Sequence, residues 1–372
     1  MRRRTRLALL ALCAGLTACE WAPRPENAQN TPPAATAGTA DQTPLVPSPA
    51  DAKATRPSYN TGRGLFVSNG RLFDAKGNEF RIRGVNRNHF DSPSQPGLSR
   101  SGANAVRVFL ASPSVGAAAY LRVLQTQHLA NKEIAIPTMS DFPDDKLTSC
   151  DKDPRRLSAG VDWWVDSAKV FALVDTASII NIANEWGPSG SILWRDAYVL
   201  AVKKMRAAGY RAPLMIDSGG CGQDASDLVN YAADIFESDP QKNIIFSFHL
   251  YGGTGPADMP ALFARFGALQ TSAGMVFVIG EFGPGRNIGP SPTLITPRQV
   301  IAAAEANHLG WLAWAWDDNN RDLGESDDNA FSMTLHGPGI YEKPADLTAF
   351  GTLLVLDPNY GLRALARPAS IF

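Results

Sequence analysis

Two glutamates each end an apolar stretch rich in β-branched residues. Glu185 closes IINIANE, residues 179–185, and Glu281 closes VFVIGE, residues 276–281. Two carboxyl groups held about 5–5.5 Å apart can cleave a glycosidic bond with retention of configuration, because one attacks the anomeric carbon while the other protonates the departing oxygen and then activates water. Such a pair needs two different surroundings, since one group must be ionised while the other holds a proton near neutral pH.

Polar residues near the ends of other apolar stretches indicate which glutamate has which role. Arg107 and Tyr251 could supply positive charge and a hydrogen bond that keep Glu281 ionised, which favours Glu281 as the nucleophile. Glu185 is then the general acid and base, with His249 as a tuning group. His249 alone would also suit a hydrogen-bonded core histidine, but Tyr251 lies two residues further on. Both side chains therefore point to one side of a strand, which favours a functional role.

Three more residues complete the predicted site. Asn184 could bond the 2-hydroxyl of a sugar, a contact that strengthens in an oxocarbenium-like transition state. Trp316 offers an apolar face for a sugar ring, and Asn86 ends the first of the apolar stretches. Trp311 and Trp314 are predicted to fill the core.

The elements that must position these residues are eight short apolar stretches without polar alternation. They span residues 82–86, 105–110, 134–139, 178–184, 213–217, 244–251, 276–282 and 311–316. Amphipathic helices are predicted between them, including 191–210 and 296–310, the second starting at a Thr-Pro cap and ending at Gly310.

Strands that alternate with helices and lack polar alternation indicate a parallel sheet buried on both faces, and eight such units predict an α/β fold of the (β/α)8 TIM-barrel type. An open doubly wound sheet is the alternative, but no Gly-rich phosphate turn follows its first strand. The stretch 64–82 carries two turn signals, at Asn69-Gly70 and around Gly77, and predicts a short N-terminal β-hairpin. A barrel gathers the carboxyl ends of its strands on one face, so the polar residues above should converge there, together with Asp141 and Asp217.

The N-terminal residues predict export. Residues 1–19 combine a basic start with a short apolar run, as a signal peptide does, and LTAC before Glu20 resembles a lipobox in which Cys19 receives lipid. A plain signal peptide is the alternative. The predicted location is the outer membrane or cell surface, or otherwise the periplasm or the medium. Residues 20–60 are rich in Pro, Ala and Thr and predict a disordered tether, and residues 61–372 predict one catalytic domain.

Charge and composition exclude several partners. The net charge is −1 and no basic block follows the signal, which argues against nucleic acid and, apart from the lipid, against a membrane surface. The five histidines have no metal-binding spacing, so neither a metal nor a cofactor is expected. Cys150 and Cys221 are an even pair in an exported chain, and either a disulfide or two free thiols is possible. We expect a monomer.

The residues described so far resemble glycoside hydrolase family 5, and within it the bacterial β-mannanase-like members. The resemblance covers about residues 62–335 and includes RGVN, GANAVRV, IINIANEW, LMIDSGGCGQD, FSFHLYG, VIGEFG and LAWAWDDN. It implies that Glu185 is the acid and base, that Glu281 is the nucleophile, and that the polysaccharide substrate is a β-1,4-mannan or a glucan. The same resemblance implies supporting roles for Arg107, Asn184, His249, Tyr251 and Trp316.

Two departures from that family bear on the substrate. Ser140 stands before Asp141 where relatives carry His-Asp, and Trp186 follows the acid where many relatives carry proline.

The acidic loop 317–328 is predicted to be solvated, with calcium binding as the alternative. An endo-β-1,4-glucanase, an inactive polysaccharide-binding lipoprotein and a surface interaction protein are the competing functions.

Overall fold

The structure is a computed structural model that describes residues 52–87, 95–110, 115–140, 150–251, 254–255, 257–284, 295–317, 331–335 and 340–372. An antiparallel hairpin of β1 (Phe66–Ser68) and β2 (Arg71–Phe73) comes first. Asn69 and Gly70 both have positive φ, 48° and 73°. This is the backbone that a two-residue hairpin turn requires, and it confirms the predicted hairpin.

Eight parallel strands then close into a barrel, which confirms the predicted fold. In spatial order the strands run β10-β3-β4-β5-β6-β7-β8-β9, so β10 closes the barrel by pairing with β3 and β9. Their bounds are β3 (Arg83–Arg87), β4 (Ala105–Leu110), β5 (Ile134–Met139), β6 (Ile180–Asn181), β7 (Leu214–Asp217), β8 (Ile244–Leu250), β9 (Val276–Phe282) and β10 (Gly310–Ala313).

Helices pack on the strands, and their ends follow ordinary capping chemistry. Thr296 caps α8 in a capping box with Gln299, and Asp153, Ser191 and Asp224 cap α3, α5 and α6 by accepting backbone N–H groups. The helices are α1 (Gln95–Ser99), α2 (Ala117–Val123), α3 (Pro154–Asp166), α4 (Ala168–Phe171), α5 (Ile192–Ala207), α6 (Ala225–Ser238), α7 (Met259–Ala273), α8 (Pro297–Ala306), α9 (Ala349–Leu356) and α10 (Leu362–Leu365).

Two buried tryptophans fasten helices to the strands that carry the site. Trp164 of α3 donates its indole N–H to the carbonyl of Ile182 at 3.0 Å, and Trp194 of α5 donates to the carbonyl of Asp217 at 3.0 Å. Both indoles are fully buried, so each contributes apolar packing and satisfies a carbonyl at the end of a strand.

The fourth barrel strand, predicted over 178–184, is regular only over Ile180–Asn181. The N–H groups of Ile179 and Asn184 donate to Ala135 and Met139 of β5, so the chain advances from 179 to 184 while β5 advances only from 135 to 139. One extra residue on this strand interrupts the ladder, as a bulge does. The irregular segment leads directly to Glu185.

Two other boundaries differ from the prediction. The helix predicted to end at Gly310 ends at Ala306, because His308 takes a left-handed backbone with φ 57° and Gly310 already belongs to β10. The strand predicted over 311–316 is regular only to Ala313, although the N–H groups of Trp314 and Trp316 still donate to Phe282 of β9 and Asn86 of β3.

Part of the segment assigned to the tether packs on the barrel domain. Lys53 forms an isolated antiparallel β-bridge with Asn78, the Arg56 guanidinium lies 4.3 Å from the Phe66 ring centroid, and Asn60 is buried. The barrel domain therefore includes residues 52–60, ahead of the predicted boundary at 61. Composition does not reveal this, because the contacts depend on residues outside the segment. The predicted signal and the rest of the predicted tether lie outside the described residues. Among the residues described, no helix combines the length and apolar character that crossing a bilayer would require.

Candidate active site

The two glutamates meet at the carboxyl-terminal end of the barrel, although one follows β6 and the other lies on β9. A carboxylate oxygen of Glu185, a ring nitrogen of His249 and a carboxylate oxygen of Glu281 all lie within 4.8 Å of one another. Both glutamates are nearly buried, with exposed fractions of 8% and 5%. This separation suits a double displacement, and it is shorter than the roughly 6.5–9.5 Å that leaves room for a water in an inverting pair.

Glu281 receives a hydrogen bond on each oxygen. Arg107 Nη1 donates to Oε1 at 2.6 Å and the Tyr251 hydroxyl donates to Oε2 at 2.8 Å. Burial raises the pKa of Glu281 above its ordinary value, and the charge of Glu185 acts in the same direction, while His249, Arg107 and Tyr251 lower it without prevailing. The two donors that the sequence assigned to Glu281 are therefore in place, but burial is the stronger influence on its pKa.

Glu185 is held in an unusual backbone conformation. Its φ is 51°, in the left-handed region that residues with a side chain rarely adopt. Its backbone N–H donates to Asp217 Oδ2 at 3.1 Å, and its Oε1 lies 2.9 Å from His249 Nδ1. The predicted contact between the acid and His249 is thus present.

Arg107 is the buried centre of the site. Its guanidinium donates to Asn86 at 3.1 Å and to Asn184 at 2.8 Å, in addition to Glu281. Nε donates to Asn181 at 2.8 Å, and Nη2 also donates to Asp217 at 2.9 Å. Five acceptors around one guanidinium offset the cost of burying its charge and fix the ends of several strands relative to one another.

His249 is completely buried between carboxylates. Its Nε2 lies 3.5 Å from Asp217 Oδ2 and its Nδ1 lies 3.6 Å from Glu281 Oε2. Burial by itself lowers the pKa of His249, but the charges of Glu281, Asp217 and Glu185 raise it and prevail. Gly222 lies against the ring, where a Cβ would come within 2.5 Å of Nδ1.

Trp316 does not present the sugar-binding face that the sequence suggested. It is fully buried and packs edge-on against Tyr341, with ring centroids 6.0 Å apart. Trp314, predicted to fill the core, is instead partly exposed and packs edge-on against Phe109 at 5.2 Å. The exposure of both indoles differs from the sequence expectation because the regular strand ends at Ala313, beyond which side chains need not alternate between faces.

One site residue was missed in the sequence, and another was given a place but no role. Asp217 was expected at this face of the barrel without a part in the chemistry, and Asn181 was not considered; both contact Arg107 inside the barrel. A polar residue within a buried parallel strand was the available signal, since such a residue needs a partner there.

Ser140 and Trp186, the two departures from the family pattern, both make contacts within the described part of the chain. Ser140 donates its hydroxyl to the carbonyl of Leu110 at 2.9 Å, and Asp141 lies outside the described residues. Trp186 is fully buried, donates to the carbonyl of Asp153 at 3.2 Å and packs edge-on against Tyr198. The indole therefore points away from the two carboxylates.

The cluster of Glu185, His249 and Glu281 has the donor types of a metal site. The oxygens of Glu281, however, already accept from Arg107 and Tyr251, and a guanidinium 2.6 Å away opposes a divalent cation electrostatically. The arrangement therefore fits proton transfer and nucleophilic attack better than metal binding. The remainder of the acidic loop 317–328 beyond Asp317 lies outside the described residues.

The fold and the carboxylate pair define the class: the protein is a glycoside hydrolase. A family model described as "Cellulase (glycosyl hydrolase family 5)" matches residues 145–320. A mannan endo-1,4-beta-mannosidase of Streptomyces lividans is 31% identical over 325 residues, which cover 83% of this chain and 78% of that protein. The chain belongs to glycosyl hydrolase family 5.

Further relatives are similar along the whole barrel. A mannan endo-1,4-beta-mannosidase of Salipaludibacillus agaradhaerens is 28% identical, over 83% of this chain and 96% of its own length. The structure of a Thermomonospora fusca beta-mannanase in complex with mannotriose superposes with a TM-score of 0.66 at 28% identity, over 83% of this chain and 99% of that one.

Proposed function

We propose that this chain is a retaining endo-β-1,4-mannanase. The observation that carries the proposal is the pair of buried carboxylates, one oxygen of each lying within 4.8 Å of one oxygen of the other, at the carboxyl-terminal end of the barrel. The similarity to proteins named mannan endo-1,4-beta-mannosidase over most of the chain supports mannan as the substrate. The endoglucanase of Thermobifida fusca, at 17% identity, shares the fold alone, so no specific observation favours glucan.

The geometry assigns each step to a group. Glu281, oriented by Arg107 and Tyr251, attacks the anomeric carbon, and Glu185 gives its proton to the departing glycosidic oxygen. A glycosyl ester on Glu281 results. Glu185, now a carboxylate, takes a proton from water, and the water oxygen attacks the same carbon and releases Glu281 with net retention.

Two neighbours assist the sugar in this proposal. Asn184 precedes Glu185, its side-chain oxygen accepts from the guanidinium that also donates to Glu281, and its amide suits a bond to the 2-hydroxyl. Trp314 takes over the stacking role first given to Trp316, because it is the partly exposed indole at the end of β10.

The deciding experiment pairs two variants. Glu281→Ala should abolish mannan hydrolysis, and azide should restore turnover of a dinitrophenyl β-mannobioside as an α-configured glycosyl azide, since the small anion replaces the carboxylate from the opposite face. Glu185→Ala should lose more rate on mannan than on the dinitrophenyl substrate, because that leaving group needs little protonation.

Glu237→Ala, at an exposed glutamate on α6, is the matched control and should leave activity unchanged. An active Glu281→Ala enzyme, or wild type that cleaves carboxymethyl cellulose but not mannan, would contradict the proposal.

We also propose that the exported protein is anchored through lipid on Cys19 and acts as a monomer at the outer membrane or cell surface. The sequence LTAC supports the anchor. Cys19→Ala should abolish incorporation of labelled palmitate and release the protein from membranes, whereas Cys13→Ala, also in the leader, should not. Labelling that persists in Cys19→Ala would refute the anchor.

A further inference from the structure

Asp217 is a buried carboxylate to which the proposed reaction gives no step, although it contacts the machinery on several sides. It ends β7 with no exposed surface. Its Oδ2 accepts from Arg107 at 2.9 Å and from the backbone N–H of Glu185 at 3.1 Å, and its Oδ1 accepts from Asn181 at 3.3 Å. One carboxylate therefore links the guanidinium behind the nucleophile to the backbone of the acid.

Asp217 also faces the ring that touches the acid. His249 Nε2 has no hydrogen-bond partner among the described residues and lies 3.5 Å from Asp217 Oδ2, while Nδ1 lies 2.9 Å from Glu185 Oε1. The imidazole thus stands between two carboxylates. Catalytic hydrogen bonds are often long in ligand-free enzymes and shorten when substrate binds, so the 3.5 Å contact suits a bond that closes in the complex.

Glu185 needs such support because of its backbone. A left-handed conformation is unfavourable for a glutamate, and it persists only where surrounding contacts hold it. The N–H bond to Asp217 is one of these contacts, and it fixes the point from which the Glu185 side chain projects.

We propose that Asp217 is a positioning residue for the general acid and base: it holds the backbone of Glu185 and the ring of His249 so that the Glu185 carboxyl faces the glycosidic oxygen. The inference rests on the proposed glycosidase function. Burial lowers the pKa of His249, but the charges of the three surrounding carboxylates outweigh it and raise the pKa, which agrees with an imidazolium held by Asp217. Among the described residues, the charged and titratable groups that interact with this pair include Arg107, Glu185, Tyr198 and Glu281.

The test compares Asp217→Asn with Asp227→Asn. Asp227 is a matched control because it is also fully buried and accepts a backbone N–H, from Ser191, but belongs to α6 and makes none of the contacts described above. Both substitutions remove one buried charge at nearly constant volume. Thermal unfolding of each variant measures the structural cost separately from the kinetics.

The expected result is selective. For Asp217→Asn, kcat/KM on mannan should fall at least about tenfold more than kcat/KM on dinitrophenyl β-mannobioside, because only mannan depends on protonation of its leaving group. The basic limb of the pH–rate profile on mannan should move to lower pH, since removing a buried negative charge favours proton loss from the groups around it. In a Glu185→Ala background, Asp217→Asn should have little further effect on kcat/KM, because the two changes act through one group.

A structural role alone would give a different result. Equal losses on both substrates, an unmoved pH profile, or the same selective loss in Asp227→Asn would overturn the proposal. If Asp217→Asn does not fold, Asp217→Ser keeps an oxygen acceptor, leaves space for water and carries the same comparison. Wild type without glycosidase activity would refute the proposed function, whereas an active enzyme whose Asp217→Asn variant shows no selectivity would refute only this inference.

Discussion

The pKa of Glu281 is set by burial and by individual neighbouring residues that act in opposite directions. Burial and the nearby Glu185 charge raise its pKa, while Arg107, His249 and Tyr251 favour the carboxylate. A nucleophile must be ionised, so activity should be lost as pH falls through this raised pKa. The acid limb of the wild-type profile is therefore expected above the ordinary glutamate pKa of 4.5.

Removing the tyrosine hydroxyl should move that limb further. Tyr251 stays protonated, because burial and the charge of Glu281 raise its own pKa well above the usual range, and it donates to Glu281 at 2.8 Å. Tyr251→Phe removes a donor that stabilises the ionised form, so the acid limb of kcat/KM should rise by about half a pH unit or more. A pH profile from acid to neutral measures this, with Tyr231→Phe on α6 as a control. A limb that stays in place, or falls, would show that the hydroxyl does not tune Glu281.

Three loops at the carboxyl-terminal end of the barrel are joined to one another. Gly187, just after the acid, donates its N–H to Asp151 at 2.8 Å and accepts the N–H of Gly220 at 2.9 Å. A disulfide between Cys150 and Cys221 connects the two outer segments, which settles the pairing that the sequence left open. The segment that carries Glu185 therefore lies between two covalently joined neighbours.

Breaking this disulfide should cost stability. The bridged cysteines are 71 residues apart, and closing a loop of that length restricts the unfolded chain by about 4 kcal/mol in the chain-entropy model. The double variant Cys150→Ser/Cys221→Ser should lower the free energy of unfolding in urea by a comparable amount. Reductant should destabilise wild type but leave the double variant unchanged. Equal stability of wild type with and without reductant would argue against a stabilising role.

A stabilising cluster of charges is separated from the chemistry, because it lies at the opposite end of the barrel. At the end opposite the site, Glu305 of α8 accepts from Arg81, from Arg83 at the start of β3, and from the Trp311 indole at 3.0 Å. Burial opposes the charge of Glu305, but the two arginines outweigh it and lower its pKa. These contacts of Glu305 stabilise the closure of β10 on β3. They do not involve the carboxylate pair.

Glu305→Gln tests that separation. The variant removes the carboxylate paired with nearly buried Arg83 and one of the two carboxylates near Arg81, which keeps Glu79 at 3.7 Å, so we expect a loss of about 3 kcal/mol in unfolding free energy near neutral pH with unchanged kcat. Because the folded-state pKa of Glu305 is lowered, its contribution is present above the ordinary pKa of 4.5 and disappears as pH falls through the lowered value. The difference from wild type should therefore shrink in acid. A constant difference, or a fall in kcat, would contradict this prediction.

Much of the fold and part of the site were predictable. The stretches 105–110, 134–139 and 276–282 are strands with the predicted limits. A continuous apolar run suits a strand of a parallel sheet, because both faces of such a sheet are buried. The predicted strand boundaries were wrong where contacts between distant residues set them, as at Asn181, whose side chain accepts a hydrogen bond from Arg107. Arg107 itself was predictable because a buried guanidinium requires acceptors.

The sequence by itself determined that Glu281 lies near the end of one parallel strand and that Glu185 follows another, since the apolar pattern sets which residues a strand buries. Only the tertiary structure decided that Trp314 rather than Trp316 is partly exposed, that Asp217 joins Arg107 to Glu185, and that Cys150 pairs with Cys221. The physical reason is that side-chain direction follows the alternating pattern only inside a regular ladder. Beyond the last ladder bond, direction depends on partners that are distant in the chain.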